Sequence, residues 1–129
     1  MKKYRIIIAG GRDFNDYKTL NIIANGIISS LNSDSDIEIE IVSGCARGAD
    51  RLGERFAEEH GYSIARFPAD WDTYGKQAGV KRNRQMAKYA TEEGYHGVLI
   101  AFWDGESRGT KNMIETAGKL NMKVCVSGY

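Results

Sequence analysis

The sequence is short of most features that mark a specialised chain. Its 129 residues include one proline, two cysteines and two histidines, and 18 Lys+Arg against 17 Asp+Glu leave a formal net charge of +1. A single proline excludes a proline-rich linker or a collagen-like repeat. Cys45 and Cys125 stand 80 positions apart with no second Cys or His beside either, so neither a disulfide framework nor a zinc-ligand spacing is legible. The acidic residues are scattered, so no metal site is expected and no cofactor is called for. His60 and His96 stand alone and read as structural. No run approaches the roughly 18 to 20 apolar residues of a membrane span, and Ile6–Ala9 falls far short of the roughly 7 to 15 of a signal segment. The expectation is a cytoplasmic protein with no membrane partner. A near-neutral chain also lacks the global field that holds a polyanion, which argues against nucleic acid as a partner. Any anion it binds must be met by local geometry.

Glycine is what the chain has in excess: 15 residues of 129, against an average of roughly 7%. The remaining composition, 42% hydrophobic and 27% charged, is ordinary for one soluble domain, here residues 1–129. Tyr4–Ala9 is short, β-branched and stopped by Gly10-Gly11, which reads as a strand buried on both faces. Leu20, Ile23, Ala24, Ile27, Ile28 and Leu31 then form one apolar helical stripe, with Asn15 or Asp16 as N-cap and the polar 32–36 turn as its end. Ile37–Val42 is a second strand. Ala49, Leu52, Phe56 and Ala57 mark a second helix closed by Gly61, and Tyr62–Phe67 a third strand. Residues 68–75 read as loop, and 77–90 as a helix that Gly79 weakens in its first turn. Gly97–Phe102, a helix through Met113, Ile114, Ala117 and Leu120, and the strand Met122–Val126 complete the chain. Strict alternation with short connections predicts an α/β fold: one Rossmann-like three-layer domain with a mostly parallel five-stranded sheet and helices on both faces.

Ligands of such sheets sit beyond the carboxyl ends of the strands, where the topology reverses. Those ends are Gly10-Gly11-Arg12-Asp13-Phe14, Ser43-Gly44-Cys45-Ala46-Arg47-Gly48-Ala49-Asp50 and Trp103-Asp104-Gly105-Glu106-Ser107-Arg108-Gly109-Thr110. Glycine there lets the backbone approach a ligand, and free N–H groups at a following helix attract phosphate. Ser43, Ser107 and Thr110 add hydroxyl donors. Of the basic residues that gather on this side, Arg12, Arg47, Arg82 and Arg108 are the candidates, because guanidinium pairs with phosphate in a planar fork. Arg51, Arg84 and Lys76 read instead as solvated helix positions. Trp71, Tyr74 and Trp103 are candidates for stacking on a base, with edge packing an equal alternative for Tyr74. No loop is a strict G-x-G-x-x-G and Gly-Lys-Ser/Thr is absent, which disfavours a Walker-type triphosphatase. Cys45, just before a helix, is a minor candidate for a reactive thiol.

Together with Pro68-Ala69-Asp70-Trp71 and Arg82-Asn83-Arg84-Gln85-Met86, these strings closely resemble the YspA-like branch of the SLOG superfamily over nearly the whole chain. That superfamily includes the LOG phosphoribohydrolases, the DNA-processing protein DprA and domains thought to sense nucleotide-derived ligands. The resemblance implies a nucleotide-type site formed by Gly10, Gly11, Arg12, Asp13, Ser43, Gly44, Arg47, Gly48, Trp71, Arg82, Asn83, Trp103, Ser107, Arg108, Gly109 and Thr110. Since LOG relatives commonly dimerise, it also implies a possible homodimer. One departure matters. LOG enzymes carry Gly-Gly-x-Gly-Thr-x-x-Glu with a catalytic Glu, whereas the residue three beyond Thr110 is Met113.

Three readings therefore stand. The leading one is binding of a nucleoside monophosphate, NAD or ADP-ribose type of molecule, as a sensor or processing domain. The second is LOG-like cleavage of an N-glycosidic bond, with Arg82 and one of Asp13, Asp104 or Glu115 as catalytic groups. That chemistry needs a carboxylate, and Asp50 is a further candidate for which helix capping or a salt link is the stronger expectation. The third, a DprA-like DNA-processing accessory, rests on the Ser43–Asp50 string alone.

Overall fold

The computed structural model describes residues 1–31 and 36–129. Its elements are β1 (Lys2–Gly10), α1 (Tyr17–Leu31), β2 (Ile37–Ser43), α2 (Ala49–His60), β3 (Ser63–Arg66), α3 (Trp71–Tyr74), α4 (Ala78–Ala90), β4 (His96–Trp103), α5 (Arg108–Lys119) and β5 (Lys123–Gly128). The five strands form one sheet in the order β3-β2-β1-β4-β5, and every pairing is parallel. The chain builds outward from β1 through β2 to β3, then returns to lay β4 on the other side of β1. The reversal falls between β1 and β4.

Period-two alternation sends successive β1 side chains to opposite layers. Ile6 and Ile8 join Ile41, Ile100 and Phe102 under α1 and α2, through Leu20, Ala24, Ile28 and Phe56. Ile7 and Ala9 join Val42 and Leu99 under α4 and α5, through Met86, Ala90, Met113 and Ala117. This double burial is why β1 reads as an unbroken apolar run: Ile6, Ile7 and Ile8 are all 0% exposed. Asp16 is the N-cap of α1, accepting from Thr19 N at 3.1 Å. The expected 32–36 turn falls outside the described residues, except for Asp36.

The connection between β3 and α4 differs most from expectation. The 68–75 segment is not all loop: Asp70 Oδ1 accepts from Thr73 N at 3.1 Å and starts the one-turn helix α3. A 3-10 turn, Gly75–Gln77, then leads into α4. Both histidines have structural contacts, His60 on Asn21 Oδ1 at 2.8 Å and His96 beside the Tyr4 ring.

At the amino ends of the strands, Arg5 is enclosed by its own fold. Its guanidinium carbon lies 3.6 and 3.5 Å from the ring centroids of Tyr89 and Tyr95. Nη1 donates to Tyr89 O at 2.7 Å and to Glu92, and Nε lies 3.3 Å from Glu40 Oε1. Burial disfavours this charge, but the hydrogen bond to Glu92 and the neighbouring Tyr89, Tyr95 and Glu40 outweigh it and raise the Arg5 pKa.

Candidate functional site

A cleft of about 750 Å³ opens over the carboxyl ends of the strands, at the β1/β4 reversal. Its walls come from the loops after β1, β2 and β4 and from the start of α4. Backbone bonds tie these loops together. Gly11 N–H donates to Phe102 O at 3.1 Å, and Gly11 O accepts from Ala49 N–H at 3.2 Å. Gly48 permits that last contact: its φ is +81°, and a Cβ there would collide with Gly11 O.

The glycine loops spend most of their donors on themselves. Ser43 Oγ takes the Cys45 N–H at 3.1 Å and Asp50 Oδ2 takes that of Ala46 at 3.2 Å. Asp104 Oδ1 accepts from Glu106 and Ser107, each at 2.8 Å. At the start of α5 the Ser107 side chain caps Thr110 N, while the N–H groups of Arg108 and Gly109 have no partner among the described residues. The donors at this helix start therefore remain open to an anion, whereas those of Gly11, Cys45, Ala46 and Ala49 do not.

The structure brings together in the cleft Gly10, Gly11, Arg12, Asp13, Arg47, Trp71, Arg82, Asn83, Asp104, Ser107, Arg108, Gly109 and Thr110. It leaves Ser43, Gly44, Gly48, Trp103 and Glu115 out of the lining. Ser43 is buried behind the loop, where its hydroxyl donates to Glu54 Oε2 at 2.6 Å. Gly44 makes room for Arg82: a Cβ would lie 2.6 Å from its Nη1 and 2.7 Å from Asp50 Oδ2. Trp103 Nε1 donates to Ser107 O at 3.1 Å and so holds the β4–α5 loop from behind. Glu115 is on an exposed position of α5 away from the cleft, so it has no place among the acids that could act there.

Three carboxylates do line the cleft, and their surroundings differ. Asp13 accepts from Tyr129 Oη at 2.5 Å, and burial together with this bond pushes the tyrosine up to about 12. The backbone N–H groups of Ser107 and Glu106 hold Asp104 below the usual carboxylate range. Asp50 goes the other way. At 5% exposed, it is raised by burial to about 6, against the Ala46 N–H, Arg82 and Arg12, which favour its charge. It does not cap α2, whose N-cap is Gly48 with no side-chain bond, and among the described residues it forms no ion pair within 4.0 Å.

Arg82 faces it across Gly44. Nη1 donates to Gly44 O at 2.5 Å and Nε to Asn83 Oδ1 at 3.1 Å, while burial lowers its pKa. Asn83 also donates to Gly109 O at 3.2 Å and Asn112 Oδ1 at 3.0 Å, locking α4 to α5. At the mouth, the Arg12 guanidinium lies 5.7 Å from the Trp71 ring, which is 47% exposed. Tyr74 instead sits beneath Lys81 Nζ, outside the cleft.

Sequence reasoning missed Lys76, Val80, Asn112 and Met113 in the lining. Lys76 reads from sequence as a solvated helix position, and Asn112 has no motif around it. Met113, three beyond Thr110, is 1% exposed and sits in the wall. Cys45, a minor candidate for a reactive thiol, gains no support. Burial and then Glu54 raise its thiol pKa, so its place before α2 does not activate it. Among the described residues, no three His, Cys, Asp or Glu side chains are grouped to hold a metal.

A family model described as "YspA, cpYpsA-related SLOG family" matches residues 4–74, more than half of the chain. Gene 61 protein of Mycobacterium phage D29 is 31% identical over 125 residues, covering 93% of each chain. No solved structure matches. With the all-parallel sheet and the loops just described, these similarities establish that the chain belongs to the YspA, cpYpsA-related SLOG family.

Proposed function

We propose that the cleft binds a nucleotide-derived small molecule of the nucleoside monophosphate, NAD or ADP-ribose type, and that the domain senses or processes it. The supporting observation is the meeting of Arg12, Arg47, Arg82 and Arg108 with the open N-terminus of α5 and an exposed Trp71 around one cleft. The cations and the helix N-terminus suit phosphate, and the indole suits a base. SLOG membership supports a nucleotide-related role. Titration calorimetry with AMP, NAD and ADP-ribose tests it. Saturable heat that Arg82→Ala and Arg47→Ala weaken is the expected result. No heat from any of the three, or binding that ignores both substitutions, would end this reading.

Cleavage of an N-glycosidic bond remains the second reading, favoured by one observation: Asp50 is a buried carboxyl, raised to about 6, beside Arg82. Release of free adenine from AMP decides it.

A further inference from the structure

The Asp50–Arg82 pair has an arrangement unusual for a structural ion pair. The two groups flank one point beside Gly44, with Asp50 Oδ2 at 2.7 Å and Arg82 Nη1 at 2.6 Å from it, yet they do not close to 4.0 Å. Each has part of its hydrogen-bonding capacity committed elsewhere. Oδ2 accepts the Ala46 N–H, whereas Oδ1 has no partner among the described residues. Arg82 uses Nη1 on Gly44 O and Nε on Asn83 Oδ1, leaving Nη2 without a partner among them. Both residues line the cleft. Its floor thus carries a nine-tenths-buried carboxyl with one free oxygen beside a guanidinium with one free nitrogen.

The charges around Asp50 come from several elements. Arg12 and Asp13 approach on the β1–α1 loop, Arg82 on α4, Glu54 from α2 itself, and the cleft adds Arg47, Lys76, Arg108 and Asp104. An entering phosphate brings negative charge next to Asp50, and two anions in one desolvated site cannot both stay ionised at low cost. An ionised phosphate oxygen accepts but cannot donate. Toward it an ionised Asp50 is repulsive, and a protonated one supplies an O–H beside the Arg82 N–H.

We propose that Asp50 meets the ligand as a neutral carboxylic acid, giving its O–H to a phosphate oxygen beside Arg82, so that the anion and one proton enter the cleft together. The proton comes from the buffer, and no bond of the ligand changes. This rests on the nucleotide-type reading of the cleft and adds to it a specificity: the site favours an oxyanion over a ribose diol at Asp50. A diol pairs best with an ionised carboxylate, whose two oxygens accept from both hydroxyls. The burial that lifts Asp50 toward neutrality in the free protein works in the same direction.

The test is the pH dependence of ADP-ribose binding from pH 5.5 to 8.5, a range in which its pyrophosphate charge does not change. Affinity rises about tenfold from pH 8 to pH 7, the limit for one linked proton, and levels off near the free carboxyl's own midpoint. Calorimetry at pH 8 in buffers of different ionisation enthalpy shows uptake of close to one proton. Asp50→Asn, which keeps the shape and a donor, removes the pH dependence and binds at pH 8 at least as tightly as the wild type. Carbon-13 shifts of the Asp50 carboxyl report the same protonation without substitution. Affinity that falls on acidification, with Asp50→Asn weakened at pH 8, would overturn the proposal in favour of an ionised acceptor. Binding equal at every pH in both proteins would remove Asp50 from the site while leaving the nucleotide reading intact. No binding of ADP-ribose, NAD or AMP by the wild type at any pH would remove both.

Discussion

Arg5 and Arg82 lie at opposite ends of the same sheet, and the fold treats them differently. Arg5, at the amino ends of the strands, is enclosed between two tyrosine rings and meets Glu40, Glu92 and a backbone carbonyl. Its charge is answered from within, and its pKa is raised. Arg82, at the carboxyl ends, has a carbonyl and an amide oxygen but, among the described residues, no carboxylate within ion-pair distance, and its pKa is lowered by burial. Burying a charge without a partner is costly. The fold closes around the Arg5 charge and leaves the Arg82 charge at the cleft, and the proposed function assigns Arg82 a ligand where Arg5 has carboxylates.

The contrast can be broken at several points, and the largest effect is expected at Asp50. Its folded-state value of about 6 lies above the ordinary 3.8, so the folded protein holds more protons than the unfolded chain between those two. The stability Asp50 contributes is therefore full below about pH 4 and lost as pH rises through about 6, a shift worth up to about 3 kcal/mol. Asp50→Asn should raise stability toward urea at pH 7.5 by up to that amount, with the gap over the wild type closing toward pH 4. An Asn variant less stable at pH 7.5 would mean that Asp50 is structural. Next, Arg82→Ala should cost about 2 to 3 kcal/mol of ligand binding, the usual scale for a charged hydrogen bond, with smaller loss of stability. Arg5→Met should do the reverse, losing about 1 to 3 kcal/mol of stability in urea melts and leaving ADP-ribose affinity unchanged. If each substitution altered both properties equally, the contrast would fail. The smallest effect is expected at Trp71→Ala, about tenfold in affinity for AMP, because the half-exposed indole offers a stacking face but little to the core.

Much of this was legible in the sequence, for reasons that can be named. The β1 run Ile6–Ala9 and the α1 stripe each express one periodicity without interruption, and the strand-end loops announce themselves by glycine. Sequence also placed Arg12, Arg47, Arg82 and Arg108 on the rim that lines the cleft, since topology alone carries them there. It failed where a role depends on distant partners. Ser43, Gly44, Gly48 and Trp103 lie in the expected loops, but they turn toward Glu54, Arg82, Gly11 and Ser107 and support the cleft from outside its lining. Asp50 looked like a cap because it stands near a helix start. Its burial against Arg82, from a helix more than thirty positions away, is set by tertiary packing and by the close approach that Gly44 permits.

The central claim is that the carboxyl-end cleft, and not the Arg5 end, receives the ligand. Amide chemical-shift mapping of nitrogen-15-labelled protein titrated with ADP-ribose tests it most directly. The predicted result is saturable shifts at Gly10–Asp13, Ala46–Asp50 and Ser107–Thr110, with Arg108 and Gly109 among the largest, and none at Arg5, Glu92 or Tyr95. Shifts confined to the Arg5 end, or none at all, would contradict it.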